Sequence, residues 1–229
     1  MGIEYRFERE IVDVFEAIKR QSYRGNDFCI PVYKNGTQIA ILSPITKRHL
    51  DDNIRNDELV RLLSEWRRTN AKWYPTVFKV TYDGTRKWLR DQVIGAEDRI
   101  LFMVKTMDGN PFGHMGFYRG EADNFIRGRK DILNGGMTSA LRAMLNWAFI
   151  DLDLKDLYLR VFSDNTRAIA FYDRCGFRPI YKIPLKKYKG HGFIRWEESH
   201  EEGINEAKRY FSVMHLKNPY VKQAKGAII

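Results

Sequence analysis

The sequence contains few of the residues that build disulfide frameworks or metal sites. Two cysteines, Cys29 and Cys175, occur among 229 residues and stand in unrelated contexts. This pattern is typical of free thiols in a reducing compartment. The five histidines show no metal-ligand spacing, either with one another or with cysteine. We therefore expect no metal and a cytoplasmic location.

Long hydrophobic segments are also missing. The chain contains no run of about 18 apolar residues, which excludes a predicted transmembrane helix. The first residues, MGIEYRFEREIVDVF, carry charges throughout and do not resemble a signal peptide. Arg6 stands where a myristoylation signal has Ser or Thr. We expect no membrane partner.

What remains is a composition that suits one hydrophobic core, since 44% of the residues are hydrophobic and 30% are charged. Apolar residues at helical spacing predict helices over residues 8–20 and 57–68. A further helix is predicted to start after Thr85 and to run to Gly95. Asn35-Gly36, between two apolar runs, predicts a hairpin because both turn positions favour positive φ. The elements together indicate an α/β (α+β) protein.

The segment that carries most information is Leu157–Pro179, LYLRVFSDNTRAIAFYDRCGFRP. Its first residues alternate in the manner of a strand, and Ser163-Asp164-Asn165 supplies oxygens that can cap a helix. A short helix with one apolar face follows. Gly176 ends it, because glycine readily adopts the left-handed conformation of a helix exit. An ordinary strand–helix–strand corner would look similar.

The residue order N-T-R-A-I-A-F-Y-D-R-C-G-F resembles the Asn-x-x-Ala-x-x-x-Tyr-x-x-x-Gly-Phe signature of the GCN5-related N-acetyltransferase (GNAT) superfamily. The resemblance implies a mixed, mostly antiparallel sheet that is splayed between its fourth and fifth strands and flanked by helices. It also implies that acetyl-CoA is bound. Asn165 would hold the pantetheine arm of coenzyme A, and the Tyr172 hydroxyl would protonate the leaving thiolate.

A glycine-rich turn precedes the helix that begins near Gly136. A helix N-terminus with close backbone N–H groups is suited to an anion, although plain turns also use Gly-Gly. By resemblance this is the family's pyrophosphate loop, with Gly135 at its first glycine and Ile132 where Arg or Gln is usual. The residues assigned to the coenzyme here are Arg129, Lys130, Leu133, Asn134, Gly135, Gly136, Met137 and Thr138.

The fourth strand of the family matches the segment that ends at Arg127. Phe125, Ile126 and Arg127 are assigned to the coenzyme, because family members use a backbone N–H on this strand to bind the developing oxyanion. An attacking amine must be unprotonated, so a carboxylate is the expected base. Asp123 is the first choice and Glu121 the second.

Acceptor contacts are predicted from the same resemblance, in which two helices cover the acceptor site. Candidates near the first of these helices are Arg67, Trp73 and Tyr74, and His114 lies on a strand. Trp73 could instead be a core residue, Trp66 is expected to be one, and a lone strand histidine such as His114 is more often structural. Lys187, with Lys186, Lys189 and His191 beside it, faces either an acceptor diphosphate or solvent at a hairpin tip.

The resemblance divides the chain into three parts. Residues 1–38 form an N-terminal extension packed on the domain, 39–221 the acetyltransferase domain, and 222–229 a mobile tail. The extension either adds to the sheet edge or forms a contact in a homodimer, and the two roles remain open.

The function implied is acetyl transfer from acetyl-CoA to a primary amine on a small molecule, with a nucleotide-linked amino sugar of surface-polysaccharide biosynthesis as the first choice. One alternative is a protein acetyltransferase acting on an N-terminus or a lysine, of the ribosomal-protein type. Another is a non-catalytic acyl-CoA-binding or nucleic-acid-binding protein. The net charge of +10 fits several polyanions, but no nucleic-acid motif accompanies it. Nucleic acid is therefore not the expected partner.

Overall fold

The computed structural model describes residues 6–20, 27–50, 57–199 and 207–220. Within these residues five α-helices flank one ten-stranded sheet. No helix in the described part of the chain is long and apolar enough to cross a membrane. The elements are α1 Arg9–Lys19, β1 Ile30–Lys34, β2 Thr37–Pro44, α2 Asp57–Thr69, β3 Thr76–Phe78, α3 Tyr82–Trp88, β4 Arg99–Thr106, β5 Pro111–Tyr118, β6 Glu121–Arg127, α4 Gly136–Ile150, β7 Asp156–Phe162, α5 Thr166–Arg174, β8 Arg178–Gly190, β9 Phe193–Glu198 and β10 Arg209–Lys217.

The sheet has the strand order β1-β2-β4-β5-β6-β7-β10-β8-β9-β3. Its pairs are antiparallel except for β6 with β7, which is parallel and in register at one position, Glu121 with Tyr158. Beyond that position the two strands separate. The predicted α/β fold, with a mixed sheet splayed between the family's fourth and fifth strands, is therefore confirmed, and these strands are β6 and β7.

Helix α4 supplies the centre of the core. It is apolar around most of its circumference, and its buried residues include Leu141, Met144 and Leu145. Phe15 of α1 and Val32 of β1 belong to the same apolar cluster and are fully buried. Helix α1 and strand β1 therefore share the core of the protein, and β1 lies at the edge of the sheet.

The local sequence patterns predict most of the observed helices and strands correctly. The predicted hairpin has Asn35 and Gly36 at φ 51° and 78°, between β1 and β2. The helix expected to start after Thr85 begins earlier, at Tyr82, because the Thr81 hydroxyl accepts a hydrogen bond from the Gly84 N–H at 3.1 Å. Its continuation, Leu89–Ile94, is a π-helix. The predicted tail, 222–229, lies outside the described residues.

One strand was not predicted. Thr76–Phe78, which follows α2, pairs with β9 at the far end of the sheet, and the Trp196 N–H donates to the Pro75 carbonyl at 2.8 Å. The connection between α2 and α3 is thereby fixed to the β8–β9 hairpin.

Candidate active site

A β-bulge shapes β6 at the point where the sheet splays. Asp123 pairs with Gly116 and Ile126 with His114, so that two residues of β6, Asn124 and Phe125, oppose one residue of β5. Asn124 adopts φ 63°, which turns the strand locally. Strand β7 is no longer paired with β6 at this point. The edge of β6 that faces β7 therefore presents its backbone groups to the cleft.

His114 supports the bulge from behind. Its Nδ1 lies 2.7 Å from the Asn124 carbonyl, its ring stacks on Trp66 with centroids 5.9 Å apart, and it is 2% exposed. Burial lowers the pKa of His114 to about 4, so the ring is neutral and donates to that carbonyl. Contact with an acceptor stays a prediction, but this placement gives His114 a structural function behind the cleft wall.

The neutral state of His114 predicts how stability depends on pH. Its pKa falls from 6.5 to about 4 on folding, so the unfolded chain binds the extra proton between these values and stability is lost as the pH falls through that window. The loss approaches about 3 kcal/mol near pH 4. The unfolding temperature is measured from pH 7.5 to 4.5. It should fall less steeply with pH in His114→Gln than in the wild type, because glutamine keeps a donor but does not titrate. Equal slopes would contradict the prediction; His49, whose pKa is also lowered to about 4, contributes to both proteins alike.

The two candidate carboxylates have different surroundings. Glu121 is 8% exposed and pairs with Arg160 at 3.0 Å, and Arg160 also contacts Glu198. Asp123 pairs with Arg99 at 3.3 Å, yet 40% of its side-chain surface is open to solvent. Protein atoms surrounding this recess raise the pKa of Asp123 above its usual range, against the opposing effect of Arg99. Asp123 is thus the more accessible acid in the cleft.

Tyr172 lies on α5, which begins directly after β7. Asn165 caps this helix, its Oδ1 accepting from the Ala168 N–H at 3.3 Å. The Tyr172 ring packs edge-on against Phe125 of the bulge at 5.4 Å and is 8% exposed. No described residue hydrogen-bonds its hydroxyl, which is also not among the buried unpartnered atoms and therefore has access to solvent. Burial, and next the charge of Asp123, raise the pKa of Tyr172.

Tyr74 completes this group of residues. Its hydroxyl donates to Asn124 Oδ1 at 3.2 Å, and the Arg67 guanidinium lies 3.2 Å above its ring. Burial, and then the nearby Asp123 charge, act to raise the pKa of Tyr74. The structure therefore brings Arg67, Tyr74, Asp123 and Tyr172 to one cleft at the bulge.

The glycine-rich turn before α4 has the geometry of an anion-binding loop. Leu133 and Gly135 have positive φ, 43° and 80°. The N–H groups of Gly136 and Thr138 close turns onto the carbonyls of Leu133 and Gly135 at 2.8 and 3.0 Å, and the assignment of both residues to the coenzyme stays a prediction. The described residues offer no partner to the N–H groups of Leu133, Asn134, Gly135 and Met137.

The cations assigned to this loop are mostly engaged. Arg127 Nη2 donates to the Lys130 carbonyl at 2.7 Å and so holds the loop together. Arg129 pairs with Asp131 at 2.9 Å, while Lys130 is exposed. Lys34 of β1 was not predicted; its Nζ donates to the Asn134 carbonyl at 3.0 Å, a contact over 100 positions that no local pattern indicates.

Two predicted acceptor residues lie in a different cluster. Trp73 packs against the buried Phe162, Leu185 and Phe211, and Lys187 is exposed with its Nζ 5.4 Å from the Trp196 ring centroid. Arg209 also lies in this cluster and was missed by sequence reasoning. Its guanidinium covers the Phe162 ring at 3.4 Å and binds both oxygens of Asp164, next to Asn165, at 3.0 and 3.1 Å.

Comparison with known proteins identifies the family of this chain. Residues 40–178, more than half of the chain, match the model of the family described as acetyltransferase (GNAT) domain. The chain therefore belongs to the GNAT family and is an N-acetyltransferase. A search of curated proteins found no match.

Solved structures share the fold at low sequence identity. A GNAT-family acetyltransferase from Bacillus anthracis is 17% identical, with a TM-score of 0.56 over 83% of this chain and 99% of that one. The spermidine/spermine N-acetyltransferase SpeG from Vibrio cholerae, in complex with manganese ions, is 16% identical, with a TM-score of 0.52 over 79% and 93%. A chimera of SpeG and hSSAT is 15% identical, with a TM-score of 0.53 over 78% and 95%.

Proposed function

We propose that this protein transfers the acetyl group of acetyl-CoA to a primary amine of a nucleotide-linked amino sugar. The observation that carries the transfer chemistry is the convergence of Tyr172 and Asp123 at the bulge where β6 and β7 separate. A proton donor and a proton acceptor are the two groups that amine acylation requires. The proposed setting is the cytoplasm, and residues 39–221 are proposed as the catalytic domain.

The residues present fit acetyl-CoA. The unpartnered N–H groups of the loop from Leu133 to Met137 are suited to its pyrophosphate, and the Asn165 side-chain amide is suited to its pantetheine arm. When bound, acetyl-CoA supplies the thioester whose acetyl group is transferred.

The chain's own groups have separate tasks. Asp123 accepts a proton from the acceptor ammonium, for which the raised pKa of its carboxyl makes it a better base. A backbone N–H of β6 near Phe125 or Ile126 donates to the oxygen on which negative charge develops. Tyr172 donates its hydroxyl proton to the departing sulfur, and its raised pKa keeps that proton in place until then.

Two features support a small anionic acceptor. The pairing of β3 with β9 fixes the connection between α2 and α3 to the β8–β9 hairpin, and a fixed connection beside the acceptor favours a small molecule over an extended polypeptide. Strand β8 carries exposed lysines that attract a diphosphate, with Lys187 and Lys189 on one face and Lys186 on the other. A protein acetyltransferase would need an open groove instead.

The test is free-thiol release from acetyl-CoA with a panel of acceptors: amino-sugar nucleotides, the corresponding free amino sugars, spermidine and N-terminal peptides. We expect the highest kcat/KM with an amino-sugar nucleotide. Lys187→Gln should raise KM for that acceptor and leave KM for the free sugar unchanged. Faster turnover of a peptide or of spermidine would refute the proposed acceptor, and absence of both thiol release and acetyl-CoA binding would refute the transferase.

A further inference from the structure

Arg99, the first residue of β4, lies beneath the cleft and has no assigned function. It is 8% exposed. Its Nη2 contacts Asp123 Oδ2 at 3.3 Å, and its Nη1 donates to the Gln92 carbonyl at 3.1 Å. Its guanidinium carbon lies 3.5 Å above the centre of the Tyr118 ring. One buried cation therefore joins the accessible carboxylate to the π-helix that continues α3.

Burial of the Arg99 guanidinium costs free energy, which is unexpected for a side chain that serves stability alone. The Arg99 Nε is buried and has no hydrogen-bond partner in the described part of the chain. A buried N–H without an acceptor loses the hydrogen bond that it had with water, and buried ion pairs commonly contribute less than an apolar side chain of similar volume. The contact with Asp123 offers the reason for a guanidinium here.

The other charged and titratable groups around Asp123 have partners of their own. Arg67 donates to the Thr76 carbonyl at 2.8 Å and stacks on Tyr74. Arg160 is held by Glu121 and Glu198. Glu121, Tyr74 and Tyr172 are the remaining titratable groups that interact with Asp123 electrostatically, and none of them supplies positive charge. Among the residues that the structure describes, Arg99 is the cation in direct contact with Asp123.

We propose that Arg99 is a positioning residue that keeps the Asp123 carboxylate ionised and directed into the cleft, where Asp123 acts as the base. This inference rests on the proposed function. Burial favours the neutral carboxylic acid, whereas the adjacent guanidinium favours the anion, and the balance between them sets the pH at which the base becomes active. Through Gln92 the same guanidinium fixes Asp123 relative to the helix on the acceptor side.

The experiment measures kcat/KM against pH for Arg99→Gln, Arg99→Lys and Asp123→Asn with an accepted amine. In Arg99→Gln the ascending limb should move to higher pH by about one to three units, since an adjacent arginine lowers a carboxyl pKa by that amount. Arg99→Lys should move it less, because a single ammonium keeps the charge but cannot hold both Asp123 and Gln92. The Kd for acetyl-CoA should not change in either variant.

A matched control is Arg119→Gln, which removes an exposed guanidinium 5.0 Å from the same Tyr118 ring and should leave the profile unchanged. If the ascending limb of the pH profile lies at the wild-type pH in both Arg99 variants, the inference is overturned. If Arg99→Gln does not fold, the position of the limb in Arg99→Lys alone tests the inference. Unchanged turnover in Asp123→Asn also overturns it while the transferase stands. The transferase activity itself would be refuted by a different result, namely wild-type protein that shows neither thiol release nor acetyl-CoA binding.

Discussion

Replacing Tyr172 with phenylalanine is expected to lower kcat for acetyl transfer by about 10²–10⁴-fold, the usual contribution of a positioned general acid. The Kd for acetyl-CoA should stay close to the wild-type value. Stopped-flow or coupled measurement of free-thiol release gives kcat, and calorimetric titration of acetyl-CoA gives Kd.

The expectation follows from the surroundings of the ring. Tyr172 packs edge-on against Phe125, Phe171 and Phe177, and phenylalanine keeps all of these contacts. The hydroxyl has no partner among the described residues, so its removal leaves no buried group unsatisfied. The substitution therefore removes the proton donor and little else.

Tyr33→Phe is the matched control, because Tyr33 is 56% exposed on β1 and no part in the reaction is proposed for it. It should retain wild-type kcat. If Tyr172→Phe also retained wild-type kcat, the phenol would not be the acid. A parallel loss of acetyl-CoA affinity would instead indicate that Tyr172 serves binding.

The part of the site predictable from sequence is local. The strand, the Asn165 cap, the short helix and Gly176 are consecutive in the chain, and each depends on residues a few positions away. The same holds for the hairpin at Asn35-Gly36 and the turn before α4. Such signals act within one element, so a single sequence is enough to find them.

The rest depends on contacts between distant segments. Arg99 and Asp123 lie on strands joined through β5, and Lys34 meets the loop at Asn134 only because β1 lies alongside α4. The three residues of β3 are too few to show alternation, and their partner lies in β9. Trp73 and Tyr74 are adjacent in sequence but enter different clusters, because Trp73 ends a 3-10 helix, Ala71–Trp73, and Tyr74 is the first extended residue after it.

Replacing Trp66 with alanine is expected to lower the free energy of unfolding by about 3–5 kcal/mol, as for other fully buried tryptophans. Trp66 is 3% exposed on α2, and its ring stacks on His114, which supports the bulge. Chemical denaturation gives the free energy. Trp88→Ala, on a partly buried ring at the edge of the same cluster, should cost less, and an equal loss would contradict the central position given to Trp66.

A substitution at Gly128, which contacts the Trp66 indole, provides a second test of the packing of Trp66. A Cβ at Gly128 would lie 1.8 Å from an indole carbon of Trp66, so Gly128→Ala should also destabilise the protein strongly. Its φ is outside the left-handed region, and the loss would therefore be steric rather than conformational. Because Trp66→Ala removes the whole indole that the methyl group meets, the double variant Trp66→Ala/Gly128→Ala should lose less stability than the sum of the two single variants. Additive losses would mean that α2 does not press its indole onto Gly128, and that the cleft floor is held by other contacts.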